Sequence, residues 1–247
     1  MRKDLVINSQ QGFNVKNGDT GKELLDVLAG FRASSWNRKK VITFMASDKI
    51  LAVDIDGVVL NHAAGMHAWA INKGIQVGCE PDACDCYTMS PMFPGRSYDE
   101  IMQLMVDFSQ DDGFASMPIM SGFESALARL RDLHPEMKLI AITAPGNSER
   151  TKALRERNLR NLRFDEIHIL DMHASKRSHL DRLPKSAIFF DDLASHAITA
   201  EEVGLTSVLF RQPHNLGDDH TLVARDWEAG FEIVRTKFAG SPHPGAE

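Results

Sequence analysis

The feature that most constrains the fold is a series of five apolar segments separated by stretches with helical spacing. These segments are rich in Val, Ile, Leu or Phe, and most contain a continuous apolar run, which is typical of a strand buried on both faces. A parallel sheet covered by helices requires such strands, and the alternation predicts right-handed βαβ crossovers. We therefore expect an α/β fold with a doubly wound parallel sheet. The segments lie at 49–61, 137–143, 164–170, 185–192 and 205–210.

One long interval interrupts this alternation after the first strand. Residues 62–117 contain no strand-like run, and they are too numerous for an ordinary βα loop. The sequence predicts that they form a small helical cap inserted into a core domain made of residues 48–61 and 118–237. The spacing in GKELLDVLAGFRASSW favours a helix within an N-terminal extension, 1–47, and a disordered tail is expected at 238–247.

The composition restricts the partners of the chain. Its 247 residues carry a formal net charge of −6, so there is no general electrostatic attraction to nucleic acid or to anionic membranes. No apolar run approaches the roughly 18 to 20 residues that span a bilayer, and the N-terminus lacks the apolar centre of a signal peptide. We expect neither a nucleic acid polymer nor a membrane as partner, while a homodimer remains open.

The cysteines indicate the compartment. Cys79, Cys84 and Cys86 form an odd and clustered set, which argues against a disulfide framework. Their spacing also fails to match the paired C-x₂-C arrangement of structural zinc sites. The sequence therefore indicates a reduced, cytoplasmic protein.

Acidic side chains gather where the predicted strands end. Asp54 and Asp56 follow the first strand, Thr143 ends the second, and Asp191 and Asp192 end the fourth. Carboxylates at one edge of a sheet repel one another unless a cation lies among them, and Mg²⁺ prefers oxygen ligands. A single Asp at a strand end is more often a turn or helix-cap residue. The whole set favours a metal site that handles phosphate, with the Thr143 hydroxyl available to phosphate oxygens.

Three motifs resemble those of the haloacid dehalogenase superfamily. ILAVDIDGVVLN is similar to its first motif, AITAPGN to its second and IFFDDLASH to its fourth, in the right order and each on a strand end. A calcium loop does not explain the first motif, since the twelfth position from Asp54 is Gly65 rather than Glu. The resemblance spans roughly residues 48–235 and implies a Rossmann-like core.

The resemblance implies a role for each matching residue. Asp54 would be the nucleophile that forms an aspartyl-phosphate, and Asp56 would act as general acid and then as general base. Mg²⁺ would be held by the Asp54 carboxylate, the Asp56 backbone carbonyl and Asp192. Thr143 would bind the transferring phosphoryl group.

Two positions of this pattern stay open. The third motif requires a lysine. Lys176 follows the third strand, where the family pattern has its lysine, whereas Lys185 stands directly before the fourth strand, at the opposite end from the acidic residues. The sequence therefore favours Lys176. In the fourth motif, His196 stands where a second acidic residue is common. The sequence therefore leaves open whether Asp191, His196 or water completes the metal site.

Two further segments suggest the substrate. The superfamily's 5′(3′)-deoxyribonucleotidase branch has segments similar to FASMPIMSGFESALARL, and to VLFRQPHN followed by DWEAGFEIV. This resemblance implies a phosphatase with a small phosphorylated substrate, a nucleoside monophosphate. Two alternatives are a phosphatase for a sugar phosphate and a non-catalytic ligand-binding protein. Four aromatic residues of the cap are candidates for base stacking or for the cap's own core: Trp69, Phe93, Tyr98 and Phe108.

Overall fold

A computed structural model of the chain describes residues 49–240. It contains a six-stranded sheet in the order β3-β2-β1-β4-β5-β6, and every neighbouring pair is parallel. The predicted doubly wound α/β fold is confirmed. The five predicted segments each hold a strand, and the sixth strand was not predicted because it is only two residues long. The strands are β1 (Ile50–Val53), β2 (Lys138–Thr143), β3 (Glu166–Ile169), β4 (Ile188–Asp191), β5 (Thr206–Phe210) and β6 (Val223–Ala224).

Helices cover both faces of this sheet. Alternate residues of β1 point to opposite faces, so Leu51 and Val53 join one apolar cluster and Ala52 joins the other. Several helices begin at the expected capping residues: Ser148 and Asp226 each accept a hydrogen bond from a backbone N–H three residues later. The helices are α1 (His62–Asn72), α2 (Tyr98–Ser109), α3 (Phe123–Leu133), α4 (Glu149–Leu159), α5 (Arg177–Leu180), α6 (Ala194–Glu202) and α7 (Trp227–Ala239).

Residues 62–117, here called the cap segment, contain α1, α2 and two short 3₁₀ turns, Pro81–Ala83 and Phe114–Ser116. Backbone hydrogen bonds join its two ends: the Asn61 N–H donates to Pro118 O at 2.8 Å. Apolar side chains of the segment lie in the same buried cluster as those of β1. The cap segment therefore shares a continuous apolar core with the sheet, and its status as a separate domain stays a prediction.

The ends of the chain lie largely outside this description. The predicted N-terminal extension, 1–47, and residues 241–247 fall outside the described residues. Helix α7 continues to Ala239, with Phe238 buried, so the expected tail does not begin at 238. Within residues 49–240, none of the helices has the length and apolar character needed to cross a membrane.

Trp227 connects the last helix to the loop after β1. Its indole N–H donates to Val58 O at 2.7 Å, and its ring stacks on Phe190 of β4 with 5.2 Å between centroids. The side chain is buried. It therefore fixes the turn that carries the acidic residues against the sheet.

We expect Trp227→Ala to lower the free energy of unfolding by about 3–5 kcal/mol, because it removes a buried aromatic side chain and leaves the Val58 carbonyl without its donor. Urea denaturation followed by circular dichroism measures the change. Leu216→Ala, at a position that is 71% exposed, is the control and should stay within about 0.5 kcal/mol of wild type. A loss below about 1 kcal/mol for Trp227→Ala would contradict this role.

Candidate active site

A buried lysine joins two carboxylates at the carboxyl ends of neighbouring strands. The Lys176 Nζ lies 2.8 Å from Asp54 Oδ1 and 2.7 Å from Asp191 Oδ2. Asp54 follows β1, Asp191 ends β4, and Lys176 immediately precedes α5. Burial opposes the charged amine, but the two carboxylates raise the Lys176 pKa above its ordinary value. The lysine is therefore charged, and it sets the relative position of the two acids.

A third carboxylate leaves this cluster with excess negative charge. Ligand atoms of Asp54, Asp191 and Asp192 all lie within 4.8 Å of one another, and all three residues are buried. Burial raises the pKa of Asp54 to about 6 against the opposing charge of Lys176. Burial, with the charges of Asp191 and Asp54, raises the pKa of Asp192 well above its ordinary value. One lysine does not balance three carboxylates, so the donor set fits a hard divalent cation such as Mg²⁺.

The backbone at Gly57 leaves room for Asp192. Gly57 has a φ of +77°, and a Cβ built there would lie 2.2 Å from Asp192 Oδ2. The Gln212 amide holds this turn by donating to the Gly57 carbonyl at 2.7 Å. The close approach of the Gly57 backbone therefore positions Asp192 beside Asp54.

His196 and the backbone of Leu193 hold the carboxylate of Asp191, the last residue of β4. The Asp191 carboxylate lies 3.2 Å from His196 Nδ1 and accepts from the Leu193 N–H at 2.9 Å. Burial would raise the Asp191 pKa, but Lys176 and His196 keep it below its ordinary value. The Asp191 carboxylate is thus already paired with Lys176 and His196. Asp192 is therefore the more available of the two carboxylates for binding a metal ion.

Asp192 is held in a different way. His214 Nε2 lies 3.3 Å from Asp192 Oδ2, and the Asn215 amide donates to the Asp192 backbone carbonyl at 2.7 Å. Burial lowers the His214 pKa. The loop after β5 therefore fixes both the backbone and the side chain of Asp192.

Asp56 forms an ion pair with Arg155 of α4. Arg155 Nη2 donates to Asp56 Oδ2 at 2.5 Å, and the Arg155 side chain is fully buried. Burial would raise the Asp56 pKa, but Arg155 and His62 hold it below its ordinary value. Burial lowers the pKa of His62. Asp56 is therefore ionised at neutral pH in the absence of substrate.

The remaining predicted residues are placed as follows. Thr143 ends β2, is buried, and its hydroxyl has no hydrogen-bond partner within the described chain. Lys185 donates to the Val203 carbonyl and stands before β4, at the end of the strand opposite the acidic cluster. The cluster contains Lys176 and not Lys185.

A cavity of about 470 Å³ opens over the acidic cluster. This volume falls within the roughly 300–1,000 Å³ typical of small-molecule sites. Asp54, Asp56, Lys176 and Asp192 line it from the sheet edge. The cap segment supplies much of the other side, including His62, Cys84, Cys86, Tyr87 and Met105.

The aromatic residues expected to read the substrate lie elsewhere. Trp69, Phe93 and Phe108 are buried in the apolar cluster that joins the cap segment to the sheet. Tyr98 is 58% exposed and does not line the cavity. These four side chains pack in the core or lie at the surface. The cavity is lined instead by Phe114, which is buried, and by Tyr87, which is 47% exposed and lies 5.6 Å from His214 between ring centroids.

Sequence reasoning missed Arg155 because α4 reads as a basic, solvated helix. The helical spacing could have indicated that Arg155 is buried, because it places this residue on the same face as the other buried residues of α4: Thr151, Leu154 and Leu159. His214 and Tyr87 lie in irregular segments, where no periodicity indicates which side chains face the cavity.

No protein-family model and no curated protein sequence matches the chain. Many solved structures match its fold. They include the protein tyrosine kinase A of Mycobacterium tuberculosis (17% identity, TM-score 0.55; 75% of this chain and 97% of that one). A predicted phosphatase from Clostridium acetobutylicum has 16% identity and a TM-score of 0.54, covering 76% of this chain and 98% of its own. A haloacid dehalogenase-like hydrolase from Streptococcus pneumoniae has 16% identity and a TM-score of 0.50, covering 75% and 97%.

The chain therefore has the same fold as these structures, one of which is a haloacid dehalogenase-like hydrolase. At these identities the likeness establishes the architecture, and the function has to be argued from the site. The resemblance to the deoxyribonucleotidase branch stays a prediction.

Gly57→Ala tests the metal site without altering any carboxylate. The added Cβ would collide with Asp192 Oδ2, so we expect at least a tenfold loss of Mg²⁺ affinity by isothermal titration calorimetry. Gly95→Ala is the matched control, because Gly95 has a φ of +79° and nothing within 4 Å of a built Cβ. Both variants carry the strain of a left-handed residue, roughly 1–2 kcal/mol. Equal Mg²⁺ affinity in the two variants would refute the placement of the ion.

Proposed function

We propose that the chain is a magnesium-dependent phosphomonoester hydrolase that forms an aspartyl-phosphate on Asp54. The observation that carries this proposal is the buried Lys176 bridge between Asp54 and Asp191, with Asp192 beside it and the cavity above. Such a cluster holds a charged nucleophile in place while a phosphate dianion approaches. We further propose a nucleoside monophosphate as substrate, supported by the cavity volume and by the mixed apolar and aromatic lining of its cap side.

In the first step, an oxygen of the Asp54 carboxylate attacks phosphorus and the bond from phosphorus to the ester oxygen breaks. The electron pair goes to the ester oxygen, which takes a proton from the Asp56 carboxylic acid. Arg155 keeps Asp56 ionised before the substrate binds. Asp56 must therefore first take up the proton that it donates, either from the substrate or from solvent. Lys176 keeps Asp54 oriented for the attack.

In the second step, water attacks phosphorus and the bond to the Asp54 oxygen breaks, which restores the carboxylate and releases phosphate. The Asp56 carboxylate accepts the proton of the attacking water. We assign the Thr143 hydroxyl to a phosphoryl oxygen, a role supported by its lack of a hydrogen-bond partner in the described chain and by its position next to Ala144, which lines the cavity. Mg²⁺, bound by Asp54, Asp192 and the Asp56 carbonyl, would offset the charge of the phosphoryl group.

Asp54→Asn should abolish Mg²⁺-dependent hydrolysis of an aryl phosphate, because an amide cannot replace the nucleophilic carboxylate. The amide is nearly the same size, so the variant should remain folded by circular dichroism. Turnover of p-nitrophenyl phosphate measures the effect. Wild-type activity in this variant would rule out the covalent mechanism.

Asp56→Asn should discriminate between leaving groups. A good leaving group departs without a proton, so the variant should lose much more kcat/KM on an alkyl phosphate than on an aryl phosphate. General acid catalysis contributes about 10²–10⁴-fold, which bounds the difference. Equal losses on the two esters would show that Asp56 has only a structural role.

Tyr87→Ala should raise KM for a nucleoside monophosphate while leaving small aryl phosphates nearly unaffected, because Tyr87 lies at the cavity and away from the reacting atoms. A stacked base is worth about 1–3 kcal/mol, so we expect roughly a tenfold effect. Tyr98→Ala is the matched control. If the two variants have the same KM for the nucleotide, Tyr87 does not contact the base.

One observation favours the non-catalytic alternative. The Asp56–Arg155 pair stabilises the ionised form of Asp56, which cannot donate a proton. A ligand-binding protein would bind a nucleoside monophosphate in calorimetry yet fail to hydrolyse even p-nitrophenyl phosphate, whose departure needs no proton. Metal-dependent turnover of that ester distinguishes the two functions.

A further inference from the structure

Arg155 is a buried cation whose ion-pair partner is a proposed catalytic residue. Its side chain is fully buried on α4, and Nη2 donates to Asp56 Oδ2 at 2.5 Å. Burying a guanidinium without a counter-charge is strongly unfavourable. The pair therefore constrains both partners, and the Asp56 side chain, which is 25% exposed, cannot turn away without leaving Arg155 unpaired.

Contacts on its other side also hold the guanidinium. Its Cζ lies 4.4 Å from the centroid of the Phe114 ring, within cation–π range. One turn further along α4, the Asn158 amide donates to the Phe114 carbonyl at 2.7 Å. Helix α4 and the turn that closes the cap segment are thus joined at two points, and Arg155 has little freedom to move.

The two carboxyl oxygens of Asp56 have different environments. Oδ2 is bound to Arg155, whereas Oδ1 is buried and has no hydrogen-bond partner in the described part of the chain. Asp56 lines the cavity together with Asp54. Because Oδ1 is buried, the exposed quarter of the Asp56 side chain lies on its other atoms, and it is these that face the cavity.

We propose that Arg155 is a positioning residue that fixes the Asp56 carboxyl group at the cavity wall, where this group exchanges the proton with the substrate. This inference rests on the proposed function. The carboxyl proton of Asp56 passes to the ester oxygen as that oxygen receives the electron pair of the broken bond to phosphorus. The Asp56 carboxylate then takes a proton from the attacking water, while Arg155 remains paired with it.

A merely structural Arg155 would give a different result. If it only anchors α4 against the cap segment, its loss lowers stability and affects all esters alike. If it positions Asp56, its loss acts through proton transfer and depends on the leaving group.

The test compares Arg155→Met, Arg155→Lys and the control Arg157→Met on an aryl and an alkyl phosphate. Arg157 lies on the same helix with its side chain 57% exposed. We expect Arg155→Met to lose about tenfold more kcat/KM on the alkyl ester than on the aryl ester, within the range of general acid catalysis. Lysine should restore part of this selective loss, and Arg157→Met should behave as wild type.

A double-mutant cycle isolates the pathway of the effect. In an Asp56→Asn background, Arg155→Met should add no further loss, because the group on which Arg155 acts is absent. An additional loss of the same size in that background, or equal losses on both esters, would overturn the proposal. Should Arg155→Met fail to fold, Arg155→Lys carries the same comparison.

A crystal structure of Arg155→Met supplies a readout independent of turnover. A rotated or disordered Asp56 carboxyl supports the inference, and an Asp56 unmoved from the cavity wall overturns it. Lack of phosphatase activity in the wild-type protein would instead contradict the proposed function, so the two failures are distinguishable.

Discussion

The site depends on one buried ammonium group. Lys176 Nζ contacts carboxylates that follow β1 and β4, which are adjacent in the sheet, whereas Lys176 itself comes from the segment after β3. Without it, Asp54 and Asp191 would be like charges in a poorly solvated interior, where repulsion is strong. Because both carboxylates raise its pKa, the lysine keeps its charge despite burial. The position of Asp54, the proposed nucleophile, follows from this bridge.

The two sides of the cavity make different contributions. The sheet edge supplies fixed charges held by backbone geometry, as in the approach of Gly57 to Asp192. The cap segment supplies the residues that line the opposite side of the cavity, such as Tyr87, which we propose to face the variable part of a ligand. Asp56 belongs to both sides, since its partner Arg155 also contacts Phe114 at the exit of the cap segment. In the proposed mechanism, a few contacts thereby link the residues assigned to substrate recognition with the residue assigned to proton transfer.

Much of this architecture could be predicted from the sequence. The strands of a buried parallel sheet are continuous apolar runs, and their carboxyl ends necessarily meet at one edge. The structure has Asp54, Asp191 and Lys176 in contact at that edge, and their functional roles stay predictions. Strand β6 could not be predicted, because two residues are too few to show a hydrophobic pattern. The sequence does not indicate that Arg155 is buried, because charge usually indicates exposure and its burial depends on Asp56, 99 positions away. Only the fold brings these two residues together.

The most direct test of the account is to look for phosphate on Asp54. The Asp56→Asn variant should form the intermediate from an aryl phosphate, which needs no acid, and then hydrolyse it slowly because the base is absent. Rapid acid quench followed by peptide mass spectrometry should find a phosphoryl group on Asp54 in a large fraction of the protein. Turnover without any phosphorylated peptide, or with the phosphoryl group on another residue, would contradict the account.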